Sequence, residues 1–305
     1  MPGNHDNEVQ FGETLTRRGH LVRSALTSGP GLLWLTLFLL VPLLAMVGIS
    51  FLTRGIYGQI QWPPTLENYR RLIGFGSFGF DPLYPFLFLR SLGLGALTTV
   101  LSALAGFPLA FFVATLPGRL KTVALTLVVV PLWTNLLVRT YAWQILLAPE
   151  GWLSQLAATL RMVPQGTPLY PGPFAVAIGM LCDFLPFMVL PLYASLEKLD
   201  WSIVDAAADL GASPVQSLWH ALLPQVRSGL IAGSLLVFLP ATAQFVIPDL
   251  LGGAKTALLG SAIQQQFGSS RDWPFGCAIA TSALLLVLAG IWIHAHYSGR
   301  KGDAL

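Results

Sequence analysis

Asp183 stands near the centre of an otherwise apolar run, Phe174 to Leu196, where an ionised carboxylate facing lipid costs about 3 kcal/mol on insertion scales. It is therefore expected to face a protein interior, and an ionisable group at such depth is a functional candidate by default. Pro186, three residues on, lacks an N–H and leaves the Cys182 carbonyl without its helical donor, and Pro248 does the same to Gln244 in a later run. Freed carbonyls are tolerated at that depth only where protein or a water-filled cavity surrounds them. Carboxylates, open carbonyls and aromatic faces suit a diffuse ammonium ion, because each replaces part of its hydration and a cation over a ring gains about 0.5 to 2 kcal/mol. Asp183, Asp249, Gln244, Tyr141 and Trp143 are the candidate residues of a cation path.

Plainer roles compete with this one. Tyr141 and Trp143 also suit an interfacial aromatic belt, and Asp249 suits a helix end paired with Lys255 or Arg271. Arg90 and Arg139, near outer span ends, are expected to snorkel toward headgroups.

Other reactive groups offer less. Cys182 and Cys277 both fall inside apolar runs and read as small buried residues. His5, His20 and His220 are scattered, and His294 and His296 do not share a helix face, so no metal site is indicated. Gly252 to Thr256, GGAKT, has Ala254 where a phosphate-binding loop needs glycine before lysine, and it lacks the strand-to-helix context. No catalytic residue is assigned, and the chain is not read as an enzyme.

The elements that must position these residues are membrane helices. Of the 305 residues, 54% are hydrophobic and 10% charged, and the mean hydropathy of +0.66 excludes an ordinary soluble domain. Six runs reach the roughly 20 residues that a span requires: 32–51, 86–116, 123–147, 174–196, 230–250 and 275–297. The fold class is all-α integral membrane, with a transmembrane core at 26–299, a disordered polar tail at 1–25 and a short tail at 300–305. The first run is not read as a cleavable leader, since some thirty polar residues precede it. Lys and Arg counts on the two sides nearly balance, but Arg17, Arg18, Arg23, Arg119, Lys121, Arg300 and Lys301 crowd span ends in short segments. That density puts both termini in the cytosol. The net charge of +3 comes without a basic stripe or aromatic RNA motif, so no nucleic-acid partner is expected. Gly93, Gly95, Ser102 and Gly106 read as close-packing positions of the second span.

One polar insert interrupts this pattern, Asp205 to Pro224, within a loop at 197–226. Trp201 to Leu210 predicts a short helix closed by Gly211, where a left-handed conformation is free of Cβ strain. Ser213 predicts a new N-cap, with Pro214 at the first position and Gln216 completing a capping box. Val215, Leu218, Trp219 and Leu222 recur at helical spacing on one apolar face, and Pro224 marks the expected end. A bent pair of helices with such a face suits a docking element, although lying on the membrane surface is the plainer alternative.

The register Asp205, Ala206, Ala207, Gly211, Ala221, Leu223 and Pro224 resembles the cytoplasmic loop signature of ABC importer permeases, with Asp for Glu and Ala for Ile. The stretches at 131–143 (PLWTNLLVRTYAW), 185–200 (LPFMVLPLYASLEKLD), 248–253 (PDLLGG) and 271–276 (RDWPFG) resemble the polyamine branch of that family. Gln244 stands where that branch is expected to carry an acidic residue. The resemblance implies a type I importer permease of the bacterial inner membrane that carries a putrescine- or spermidine-like polyamine. It implies that Asp205, Ala206, Ala207, Gly211, Leu218, Trp219 and Leu222 dock an ATPase. It also implies a second homologous permease, two copies of an ATP-binding subunit holding ATP and magnesium, and a periplasmic or lipid-anchored binding protein. No cofactor is expected in this chain. A permease for another small amine or amino-acid derivative, or an ion-coupled carrier, are the alternatives.

Overall fold

The computed structural model describes residues 28–76, 79–161, 163–164, 167–253 and 257–292, with the helical backbone at 5–27 and 293–302. The tails expected at 1–25 and 300–305 lie outside the fully described residues, as does Lys255.

Helix α1 (His5–Ser50) supplies the first span at Ser28–Ser50. A hairpin of β1 (Thr53–Arg54) and β2 (Ile60–Gln61), pairing Thr53 with Gln61, leads to α2 (Glu67–Ile73). A second hairpin, β3 (Phe75–Gly76) with β4 (Gly79–Phe80), precedes α3 (Leu83–Thr115). Next come α4 (Gly118–Val129), a 3₁₀ turn (Val130–Trp133), α5 (Leu136–Leu147) and α6 (Trp152–Thr159). The long helix α7 (Pro173–Leu196) is followed by α8 (Trp201–Asp209) and α9 (Pro214–Ser217). A widened turn (Leu218–Leu222) feeds α10 (Leu223–Ala243), and α11 (Val246–Leu251), α12 (Leu259–Phe267) and α13 (Trp273–Gly302) complete the chain.

The core is the three-helix contact of α3, α7 and α10. Met188 of α7 is fully buried there between two glycines. A Cβ on Gly106 of α3 would sit 3.0 Å from its Cγ, and one on Gly233 of α10 would sit 2.8 Å from its Sδ. Gly95 likewise lies against Thr242 of α10. Small residues therefore admit the neighbouring backbone, which is what drives helix association where lipid is as apolar as leucine. Gly93 departs from that expectation: a Cβ there meets nothing within 4 Å. The span Ser28–Ser50 packs on α13 and buries none of its apolar window within the chain.

Two predicted spans differ from a straight helix. The third is a bent pair, with 97° between Gly118–Trp133 and Leu136–Thr159. The fifth starts earlier and ends earlier than predicted, running Pro214–Ala243 as one apolar helix before a break at Gln244 and Phe245. Pro224 does not end the preceding helix. In the widened turn the Leu223 N–H bonds to the carbonyl of Leu218, and this shifted register absorbs the donor that proline lacks.

Candidate functional site

The site is built at the bend of the third span. Asn135 caps α5, its side chain accepting from the Leu137 N–H at 2.8 Å, and the Thr134 hydroxyl donates to the Pro131 carbonyl at 2.7 Å. These local bonds satisfy backbone groups that an interrupted helix would leave orphaned at membrane depth. One turn into α5, Arg139 reaches back across the bend. Its Nη1 donates to the Pro131 carbonyl at 2.6 Å, and its Nη2 donates to Asp183 Oδ1 in α7. The side chains of Arg139 and Asp183 keep 17% and 11% of their surface exposed.

Asp183 thus faces protein, but it is already paired. Arg139 corrects the snorkelling expectation: the bend aims its guanidinium at α7, and a carboxylate within reach offers more than distant headgroups in a low-dielectric setting. The sequence carried no local signal for this pairing, whose partners stand 44 residues apart.

Gln244 is likewise occupied. Its Oε1 accepts from the N–H groups of Phe245 and Val246 at 3.0 and 3.2 Å, so it covers the start of α11. Pro248 falls in the first turn of that helix, where a missing N–H leaves no gap in the ladder. The break precedes it instead. Gln144 Nε2 donates to the Leu250 carbonyl at 2.8 Å and ties α5 to α11. Trp143 packs against the core, Tyr141 is half exposed and Asp249 is exposed. Among the described residues, no ion pair joins Asp249 to Arg271.

The loop at 197–226 has the predicted local geometry. Gly211 adopts φ +82°, and bonds from Gly211 N to Ala208 O at 2.9 Å and from Ala212 N to Ala207 O at 3.0 Å close α8 in a Schellman turn. The Ser213–Gln216 capping box forms in both directions. The apolar face divides, however: Leu222 is buried, whereas Val215 and Trp219 are 64% and 61% exposed and Leu218 sits at the margin. Leu210, at the end of α8, is 89% exposed. Asp205 and Ala206 are also exposed, and Asp205 lines an apolar groove shared with Phe107, Phe111, Trp201 and Leu218.

Among the described residues the bundle thus carries one bent span with an ion pair beside its bend, and a capped turn between α8 and the helix that begins the fifth span. The chain belongs to the family of binding-protein-dependent transport system inner membrane components, whose model matches residues 106–301. It is 41% identical over 268 residues to the spermidine/putrescine transport system permease protein PotB of Escherichia coli (strain K12), covering 88% of this chain and 94% of that one. Its fold matches a bacterial ABC transporter involved in import of the acidic polysaccharide alginate, with TM-score 0.64 at 14% identity over 95% of this chain and 99% of that one. A second alginate transporter structure, in complex with an alginate-bound periplasmic protein, matches with TM-score 0.59 at 15% identity over 93% and 96%.

Proposed function

We propose that this chain is a permease subunit of an ATP-driven polyamine importer, forming with a second homologous permease the path for a putrescine- or spermidine-like cation. The observation that carries this reading is the 41% identity to a spermidine/putrescine permease over nearly the whole of both chains. ATP and magnesium would be bound by two copies of a separate ATPase, docked on Asp205, Ala206, Ala207, Gly211, Leu218 and Trp219. In support, Trp219, Val215 and Leu210 stand exposed on a rigidly capped helix pair, the form that a helix-in-groove contact takes. Leu222, buried in the bundle, would carry the movement inward instead of touching the partner. A periplasmic or lipid-anchored binding protein would deliver the substrate. The ATPase-docking face would lie in the cytosol with both termini, and closure of the ATPases would rock the spans around a midplane site.

A second reading, a permease for a less charged amine or amino-acid derivative, is favoured by the two acceptors already in use, Asp183 by Arg139 and Gln244 by α11. Complementation separates the two. Expressed with its partner subunits in a strain unable to make or import polyamines, the chain should restore growth on micromolar putrescine or spermidine. Growth restored by neither polyamine would overturn the polyamine reading.

A further inference from the structure

The Pro131 carbonyl lies in the turn that ends the first arm of the broken span, where helix carbonyls carry partial negative charge. The Asp183 carboxylate meets the same guanidinium from α7. A carboxylate and a helix-end carbonyl converging at membrane depth form a site for an alkylammonium or guanidinium group, and in this structure the chain fills it with its own Arg139. We infer that Arg139 is a tethered occupant of this cation site, and that a substrate ammonium enters it by displacing the guanidinium.

This inference rests on the polyamine reading above. It also addresses the difficulty in that reading: a fixed cation on the path would repel a cationic substrate, and a paired carboxylate would have no charge left to attract one. Exchange removes both objections. Taking Arg139 away with no replacement would leave a buried carboxylate uncompensated, which is strongly unfavourable. When an incoming ammonium takes its place, the carboxylate keeps a partner throughout, so the cost is confined to repositioning Arg139. Its long side chain and the 17% of its surface left open allow that movement. The exchange also reports on occupancy. Arg139 ties α5 both to the Pro131 carbonyl, across the 97° bend, and to α7. Its release frees the two arms of the broken span from each other, and a ligand that favours the released form shifts the population toward it.

Competition by a tethered group lowers apparent affinity by the fraction of time the site stands open. The test is equilibrium binding of radiolabelled spermidine to the assembled permease–ATPase complex in nanodiscs, without binding protein. Arg139→Gln should bind about ten-fold more tightly than wild type, matching an open fraction near one tenth, and Asp183→Asn should lose measurable binding. If Arg139→Gln does not assemble, Arg139→Lys replaces it: a point charge without the guanidinium fork holds Asp183 and Pro131 less well, and binding should tighten about three-fold. Binding no tighter than wild type in the assembled variant would reduce the pair to a structural staple and overturn the inference. Separately, a wild-type transporter that imports neither polyamine would overturn the substrate reading and this inference with it, whereas import without tighter binding would overturn only the exchange.

Discussion

Arg71 and Asp272, 201 positions apart in the chain, meet at 3.1 Å and join the short helix α2 to the start of α13. Asp272 is almost fully buried, and its second oxygen accepts from the Phe275 N–H at 3.2 Å. The Arg71 guanidinium lies 4.1 Å from the centroid of the Phe275 ring, which also stacks edge-on with Tyr84. One carboxylate thus caps a span and pins a connecting helix, which gives the RDWPFG stretch a structural role.

Asp272→Ala removes both contacts and leaves Arg71 facing an apolar site, for a loss of about 2 kcal/mol given the partial exposure of Arg71. Asp272→Asn keeps an acceptor for Phe275 and should lose about 1 kcal/mol. Thermal unfolding of the purified complex should rank wild type above Asn and Asn above Ala.

The glycines of α3 make a contrasting pair. Gly93→Ala meets open space and should leave stability within about 0.5 kcal/mol of wild type. Gly95→Ala would overlap the Thr242 side chain and force α3 from α10, costing about 1 to 3 kcal/mol. Yield and melting temperature in detergent check both.

At the break before α11, Gln244→Ala strips the acceptor from two N–H groups and should cost about 1 kcal/mol. Gln244→Glu keeps that acceptor and adds a negative charge at a helix N-terminus, so stability should hold or rise by up to about 1 kcal/mol. The same melting experiment distinguishes them.

In the loop, Gly211→Pro cannot adopt φ +82°, and Trp219→Asp places a charge on an exposed apolar face. Both variants should fold as span bundles yet fail to retain the ATPase in affinity copurification. Normal retention would refute the docking role.

The sequence was most legible where local chemistry decides structure. Gly211, Ser213 and Gln216 form the turn and capping box read from residue type alone, because caps depend on neighbours within a few positions. Span existence was also clear, since an apolar run reports its own solvent. The bend of the third span was not, because Leu, Val and Trp on both arms continue the same hydropathy through Thr134 and Asn135. The cation candidates fared according to range. Burial of Asp183 follows from its cost in lipid, but Arg139 as its partner, Gln144 on Leu250 and Arg71 on Asp272 depend on how distant helices pack. Hydropathy periodicity carries no record of such pairings.

ATP-dependent uptake of labelled spermidine, measured in proteoliposomes holding this permease with its partner permease, ATPases and binding protein, tests the central claim most directly. Uptake should require ATP, be competed by putrescine, and fall at least about ten-fold in Asp183→Asn, whose unpaired Arg139 would hold a bare cation on the path. Uptake that proceeds without ATP, or an Asp183→Asn transporter with unchanged KM and kcat, would contradict the account.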